Sequence, residues 1–169
     1  KMDTSFINGA QRLYFTSNHD ENSWNRADYA TMPGVTHAPF AVFTQTYNRT
    51  MPLVYSGQEE PVLRAVSFFE KDSMGFKNYI RAPFYSALLH LRKSNNAFAD
   101  NAVFKRLSVD HPAQIMAYER VNGKDRVVIV LNLSDVAHEV LIKGTTKSNY
   151  QELFTKGITT DLQLVQLPA

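Results

Sequence analysis

Two stretches of the chain share one plan, a short apolar run that ends in polar residues. The first run covers residues 13–17 and is followed by Asn-His-Asp-Glu at 18–21; the second covers residues 51–56 and is followed by Gly-Gln-Glu-Glu at 57–60. Short apolar runs of this kind are typical of strands buried on both faces. Because barrel enzymes carry their polar groups at the carboxyl ends of parallel strands, the plan predicts two consecutive βα units.

The spacing of apolar residues predicts two helices around the second run. Residues 36–49 place Ala38, Ala41 and Val42 on one face at helical spacing. After Pro83, which a first helical turn tolerates, two adjacent stripes at i, i+4 and i+7 predict a second helix that stops at residues 95–96.

Two segments lack a clear period. Residues 23–34 are polar and contain Pro33-Gly34, so they predict a loop. Residues 59–78 predict a longer loop with one helical turn at most. Loops of this length in compact domains are more often functional than not.

The pattern changes beyond Asn101 to alternating runs with turn residues between them. Asn122-Gly123 is a strong hairpin signal. The predicted strands cover residues 103–109, 114–121, 126–133, 137–142 and 163–167. We therefore predict a domain boundary near Asp100, with an α/β part over residues 1–100 and a small antiparallel β-sandwich over residues 101–169.

Composition narrows the function classes without choosing one. The chain has 169 residues, 44% hydrophobic and 20% charged, close to the averages of globular proteins. Its net charge of +2 is too small, and its 18 Lys and Arg residues are too dispersed along the chain, to predict nucleic-acid binding. No window is apolar enough for a membrane helix. The absence of cysteine excludes disulfides and thiolate metal sites but does not choose a compartment. The compartment is left as unknown, with the bacterial periplasm, cell surface or secretion favoured over the cytoplasm.

The two polar boxes together resemble the alpha-amylase family of retaining glycoside hydrolases. That family's last sequence box has an aromatic residue, two further residues and Asn-His-Asp, as in Phe15 to Asp20 here. A Pro-Leu-x-Tyr-x-Gly-Gln-Glu strand, matched by residues 52–59, usually follows as the eighth barrel strand. A helix ending in an Arg-Lys-x-Asn-like segment then leads to a small β-sandwich, so the resemblance covers nearly the whole chain.

The resemblance implies a fold that this chain can hold only in part. A (β/α)₈ TIM barrel needs roughly 250 residues, more than the chain has in total. We therefore expect the last two βα units of a barrel followed by the sandwich, in an excised or truncated portion of a longer protein. Unpaired barrel edges would then offer a route to homo-oligomers.

The resemblance also assigns roles at the first box. Retaining glycosidases need a nucleophile and an acid about 5 Å apart, and the family carries them on the fourth and fifth strands, outside this chain. Asp20 matches the family's third carboxylate, which grips sugar hydroxyls and helps to raise the pKa of the acid. His19 matches a donor to the same sugar. These two are the predicted catalytic residues, and Asn18, Glu21 and Trp24 are the predicted substrate-binding residues.

The residues themselves also allow other interpretations. Asn18 to Asp20 could be a helix cap with a surface histidine. Trp24 could be partial core rather than a sugar-stacking ring. Residues 58–60 are more typical of a solvated acidic loop that shapes the mouth. The paired aromatics at 68–69 favour packing over a cofactor pocket.

The sequence predicts no metal site. Four further histidines lie in different predicted elements without ligand spacing, namely His37, His90, His111 and His138. The resemblance implies no cofactor for this stretch and leaves room for calcium elsewhere in a longer protein.

Three functions remain at this point. The first is the C-terminal part of an alpha-amylase-type hydrolase acting on alpha-glucans, inactive by itself. The second is a non-catalytic carbohydrate-binding or stabilising module. The third is a related transglycosylase or a sucrose- or trehalose-acting enzyme on the same barrel.

Overall fold

The computed structural model describes residue 7, residues 9–24 and residues 32–169. The chain divides into two compact units, Lys1–Arg92 and Lys93–Ala169. Each unit has its own secondary structure and is considered by itself. None of the three α-helices in the described residues has the length and apolar character that a membrane crossing requires.

The first unit contains a parallel strand pair with helices between and after its strands. Strand β1 (Arg12–Tyr14) pairs with β2 (Thr50–Pro52), with Leu13 opposite Met51. Parallel strands need a long crossover, and here it includes helices α1 (His19–Trp24) and α2 (His37–Thr46). Helix α3 (Ala82–Ser94) follows β2 after a long irregular segment. The strand-helix-strand order expected from the two apolar runs is therefore present.

Both strands are shorter than the apolar runs that predict them. The second run covers residues 51–56, whereas β2 ends at Pro52. One further ladder bond joins the backbone N–H of Leu53 to the carbonyl of Tyr14 at 2.9 Å. The chain then turns, since the N–H of Gln58 donates to the carbonyl of Tyr55. The last residues of the run therefore enter a turn and do not extend the strand.

Aromatic contacts and one arginine hold the helices to the strands. Phe43 of α2 packs edge-on against Tyr14 of β1 at 5.9 Å between ring centroids and stacks on Tyr47 at 4.5 Å. The guanidinium of Arg92, near the end of α3, donates to the carbonyls of Gln45 and Thr50. The arginine therefore satisfies carbonyls at the end of α2 and the start of β2, which are otherwise costly to bury.

The parallel pair leaves an apolar face uncovered. Leu13 and Met51, which are register partners, are both about half exposed. No third strand pairs with β1 or β2 among the described residues. Open edges and apolar faces of this kind favour association with further strands.

The second unit is built of antiparallel strands. Its longer strands are β3 (Val103–Arg106), β5 (Ile115–Asn122), β6 (Asp125–Asn132), β7 (His138–Lys143) and β10 (Leu164–Leu167), and its two-residue strands are β4 (Ser108–Val109), β8 (Tyr150–Gln151) and β9 (Ile158–Thr159). The two main sheets have the orders β3-β5-β6 and β10-β7-β4, and β8 pairs with β9. The antiparallel character predicted for this half of the chain is confirmed.

One apolar core joins the two main sheets. Ile115 and Ala117 of β5 lie against Val140 and Ile142 of β7, with Leu107 beside them. Residues two apart on each strand point to the same face, so the alternation in the sequence is what fills this core. Packing two sheets face to face in this way buries the inner face of each.

The other face of β5 is buried as well. The guanidinium of Arg120 donates to the carbonyl of Ala97 at 2.7 Å and lies 5.2 Å from the ring centroid of Phe98. Both partners belong to a 3₁₀ turn, Asn96–Phe98. Tyr118 contacts Phe104 on the same face. This strand is therefore covered on both sides, one apolar and one mixed.

The strand predictions hold where turn chemistry is strong. Gly123 has φ +59° and joins β5 to β6, with Asn122 paired to Asp125, as the hairpin signal predicts. The predicted strand 103–109 is interrupted at Leu107, and β8 and β9 have no counterpart among the predicted strands.

The predicted loop 23–34 begins inside α1, because residues 23 and 24 are helical, and its residues 25–31 lie outside the described residues.

Candidate functional site

His19 and Asp20 occupy the first turn of α1, directly after the exit of β1. Their side chains are 70% and 56% exposed, and His19 Nε2 lies 3.4 Å from Asp20 Oδ1. A carboxylate and an imidazole are thus held together at the surface. Both groups have the polar atoms and the exposure that a sugar hydroxyl would need.

Asn18 caps this helix. Its Oδ1 accepts a hydrogen bond of 2.8 Å from the N–H of Glu21, and its carbonyl accepts one from the N–H of Asn22. A cap of this kind contributes about 1 kcal/mol to helix stability. The alternative of a helix cap with a surface histidine therefore describes the local geometry of Asn18 and His19. The cap also fixes the first turn, which orients the Asp20 side chain.

Gln58 ties the exits of the two strands to each other. It is only 3% exposed. Its Nε2 donates to Thr16 Oγ1 at 2.5 Å, and its Oε1 accepts from the N–H of Tyr55 at 2.8 Å. The expectation of a solvated loop is therefore wrong for Gln58. A buried amide with partners on both sides positions the end of β1 from which Asn18 to Asp20 continue.

Glu60 organises the far end of the loop that follows β2. Its carboxylate accepts hydrogen bonds from the backbone N–H groups of Lys77, Asn78 and Tyr79 at about 3 Å. The amides of Tyr79 and Lys77 stabilise the ionised form and so hold the pKa of Glu60 below its usual value. The ionised carboxylate of Glu60 is thus bound by three backbone amides of the same loop.

An ion pair closes the middle of the same loop. Arg64 and Asp72 form a two-bond contact with N–O distances of 2.7 and 3.0 Å. Asp72 also accepts from the N–H groups of Ser67 and Ser73. The Arg64 guanidinium, followed by those amides, holds the pKa of Asp72 far below its usual range. Residues 59–78, hereafter the 59–78 loop, are therefore an irregular but internally bonded segment, as the absence of a period predicts.

Asn22 brings this loop against α1. Its side chain is buried, and its Oδ1 accepts a 2.8 Å hydrogen bond from the N–H of Val66. Next to this bond, Trp24 contacts Phe68 and Phe69 at centroid distances of 4.7 and 6.0 Å. Three rings from two elements thus form one cluster, hereafter the aromatic platform, on the helix that carries His19 and Asp20.

Acid should loosen the 59–78 loop. Because the pKa values of Glu60 and Asp72 are depressed, their bonds stabilise the loop at pH above about 4, and this stabilisation is lost as the pH falls through the lower folded values. The only tryptophan, Trp24, touches the loop, so its fluorescence should change below pH ~4. Asp72→Asn should show part of that change already at neutral pH. An exposed control, Asp135→Asn, should follow the unchanged protein; identical profiles for all three would contradict the role of Asp72.

The predicted site residues are all on or beside α1, but they differ in surroundings. His19, Asp20 and Trp24 are exposed, Glu21 is half-buried, and Asn18 is engaged as a cap. The structure adds Gln58, Asn22 and the two phenylalanines. Of these, Gln58 lay in the second polar box and was assigned to a solvated loop, and the adjacent Phe68-Phe69 pair was assigned to packing, whereas Asn22 carried no sequence signal.

The remaining histidines do not gather into a metal site. His37 packs on Phe84, and burial lowers its pKa. His111 and His138, which the sequence places in separate elements, have their ring centroids 5.1 Å apart. In the part of the chain that the structure describes, no three His, Asp or Glu side chains are arranged to hold a metal ion.

Solved alpha-amylase structures share this fold. The maltogenic alpha-amylase AmyB from Thermotoga neapolitana matches 99% of this chain with a TM-score of 0.80 and 20% identity. An alpha-amylase from Lactobacillus plantarum matches 99% with a TM-score of 0.75 and 17% identity. An Anoxybacillus alpha-amylase matches 92% with a TM-score of 0.62 and 17% identity.

The match covers only part of each amylase. The chain spans 41%, 38% and 35% of those three chains in the same order. No protein-family model and no curated protein matches the sequence. The expected relationship to alpha-amylases is confirmed at the level of fold, with a coverage consistent with the C-terminal part of such a protein.

Proposed function

We propose that this chain is the C-terminal part of a retaining alpha-glycosidase of the alpha-amylase type that hydrolyses alpha-glucans. The observation that carries the proposal is the exposed His19–Asp20 pair at the exit of a parallel strand. That pair lies in a chain whose fold is shared with alpha-amylase structures over 99% of its length.

In this proposal β1 and β2 are the last two strands of a (β/α)₈ barrel. Their parallel pairing, the helices between them and their uncovered apolar face all support this assignment. Barrel strands present their active groups at the carboxyl ends, which is where His19, Asp20 and Gln58 lie. In the isolated chain, the same open edges are the proposed route to homo-oligomers.

The proposed roles follow from the charge that develops during glycoside hydrolysis. The transition state resembles an oxocarbenium ion, and hydrogen bonds to the sugar hydroxyls strengthen as it forms. Asp20 would accept from those hydroxyls and, by its like charge, raise the pKa of a nearby carboxylic acid. His19 would donate to the same sugar. Asn18 and Glu21 would support this turn of α1, and Trp24 would stack on a sugar ring.

The chain by itself should not release reducing ends from starch or maltooligosaccharides. Asp20 stabilises charge but provides neither the nucleophile nor the acid that the reaction requires. The assay is reducing-end release by the purified 169-residue chain, with a longer protein containing the other barrel strands as the positive control. Release by the short chain that Asp20→Asn abolishes would overturn the assignment of these roles.

A further inference from the structure

His37, the first residue of α2, has one ring nitrogen buried against the start of α3. Its ring contacts those of Phe84 and Tyr85 at centroid distances of 5.2 and 6.3 Å. Its Nε2 is buried and has no hydrogen-bond partner among the described residues. Such an atom is uncommon, because buried polar groups usually find a partner. Since residues of this chain already cover it, further barrel strands in a longer protein would not expose it.

The other ring nitrogen shows which protonation state of His37 the fold accepts. Nδ1 lies 2.9 Å from the carbonyl oxygen of Gly34. A carbonyl only accepts, so Nδ1 carries the hydrogen and Nε2 holds the lone pair of a neutral imidazole. A second proton would have to bind at Nε2, where it would create a buried charge and an N–H group without an acceptor. The folded chain therefore disfavours the imidazolium form.

Arg81 brings a fixed positive charge to the same carbonyl. Its side chain is only 5% exposed, and its Nη2 donates to the carbonyl oxygens of Met32 and Gly34. An imidazolium at His37 would therefore share its acceptor with a guanidinium. Burial lowers the pKa of His37 most, the bond to Gly34 opposes this effect, and the charge of Arg81 lowers the pKa further.

The elements around His37 supply no compensating negative charge among the described residues. Residues 32–36, hereafter the 32–36 segment, contain no titratable side chain. Tyr85 of α3 is a neutral phenol whose pKa is raised by burial. Glu59 binds the N–H of Gly57 with its carboxylate, and its charge acts on Tyr85. Protonation of His37 would therefore meet one charged neighbour, the cation of Arg81.

The 32–36 segment has a strained backbone that these bonds hold in place. Met32 has φ +56° and Gly34 has φ +57°. Glycine adopts positive φ freely, whereas methionine does so at a cost in free energy. The donors from Arg81 and His37 bind the carbonyls of these two residues. Loss of those bonds would allow the segment to relax.

We propose that His37 is a pH-sensitive switch that holds the 32–36 segment against α3 when it is neutral and releases the segment when it is protonated. The segment lies in the crossover between β1 and β2, which also contains α1 with His19 and Asp20. Release therefore loosens the chain that leads away from the candidate site. The switch goes beyond the proposed function and does not depend on it.

The direction of the pH dependence follows from the lowered pKa of His37. The released form has the ordinary imidazole pKa of 6.5, and the bound form has a lower one. The bonds are therefore fully stabilising above pH ~6.5, and this stabilisation is lost as the pH falls from there through the lower value. The acid effect of Glu60 and Asp72 begins only below pH ~4, so the two effects separate.

Hydrogen exchange of the 169-residue chain, followed by nuclear magnetic resonance, tests the switch. The amide of Ala38 donates to the carbonyl of Val35 at 3.0 Å, so its exchange, corrected for the intrinsic rate, reports release of the segment. The opening constant should rise roughly three- to tenfold between about pH 7.5 and 5.5, because one proton changes it by at most about tenfold per pH unit below 6.5.

His37→Asn removes the titration and keeps a donor for Gly34, since the amide nitrogen of asparagine takes the place of Nδ1. Its opening constant should not depend on pH in this range. His90→Asn is the matched control. The Nδ1 of His90 makes the same kind of bond, to the carbonyl of Ser86 at 2.7 Å, at an exposed position on α3. This variant should keep the pH dependence of the unchanged chain.

The imidazole nitrogen signals of the unchanged chain decide the question if His37→Asn does not fold. They should show hydrogen on Nδ1 of His37 at neutral pH and a titration below 6.5. Hydrogen on Nε2, or a titration at or above 6.5, would contradict the switch. It would equally fail if the opening constant did not change with pH, or if its pH dependence survived in His37→Asn.

Discussion

Asp20→Asn should lower kcat of the proposed longer hydrolase by on the order of a hundredfold with little change in folding stability. The loss of one oriented group that acts on developing charge costs about 3 kcal/mol in comparable sites, and each 1.36 kcal/mol is a factor of ten in rate. The carboxylate is more than half exposed and meets His19 at 3.4 Å, so the fold depends little on it. Steady-state kinetics on maltooligosaccharides and thermal unfolding measure the two effects.

The matched control for Asp20→Asn is Asp135→Asn. Asp135 is an exposed acid in a turn of the second unit, and the same chemical change there should alter neither rate nor stability. His19→Ala should lower turnover in the same direction as Asp20→Asn. Near-normal turnover of Asp20→Asn together with a much lower unfolding temperature would make the residue structural and contradict the site.

Ile142→Ala should destabilise the second unit by about 3 kcal/mol. Ile142 is 1% exposed and lies in the core that both main sheets share, against Ile115, Ala117 and Val140. Truncating it loses buried apolar surface and leaves a cavity that the closely packed strands cannot fill. Amide hydrogen exchange of β5 and β7 in denaturant measures this loss within the second unit.

Ile158→Ala provides the control for this core. The same side chain is 76% exposed on the short strand β9, so its removal should cost less than about 0.5 kcal/mol. Equal costs for the two substitutions would mean that β7 does not face the shared core.

The elements predicted best are those whose pattern and turn chemistry agree. The β5-β6 hairpin needs positive φ at Gly123, and alternating residues on both sides fix its register. Helix α3 follows from Pro83 in its first turn and from its apolar stripes. In each case the information lies within a few residues of the element itself.

The elements that were missed depend on distant partners. Strands β8 and β9 have two residues each and exist only because they pair with each other. Arg92 and Arg120 each donate to a carbonyl of another segment. No period in the local sequence reports such contacts, because they are decided by tertiary packing.

In the candidate site, too, the local sequence predicts some features and misses those that depend on distant contacts. The position of His19 and Asp20 after a strand follows from the apolar run that precedes them. The local sequence does not predict that Gln58 is buried or that Trp24 contacts Phe68 and Phe69. Both contacts depend on the path of the chain after β2. That path is set by side chains that bind backbone amides, above all Asn22, Glu60 and Asp72.

The central claim is that His19 and Asp20 serve a retaining pair of carboxyl groups carried on other barrel strands of a longer protein. Determining the coding sequence upstream of Lys1 tests it most directly. The account predicts the preceding barrel strands, with an Asp at the end of the fourth and a Glu at the end of the fifth, to act as nucleophile and acid. A stop codon or an unrelated domain at that place would contradict it and favour a non-catalytic carbohydrate-binding or stabilising module.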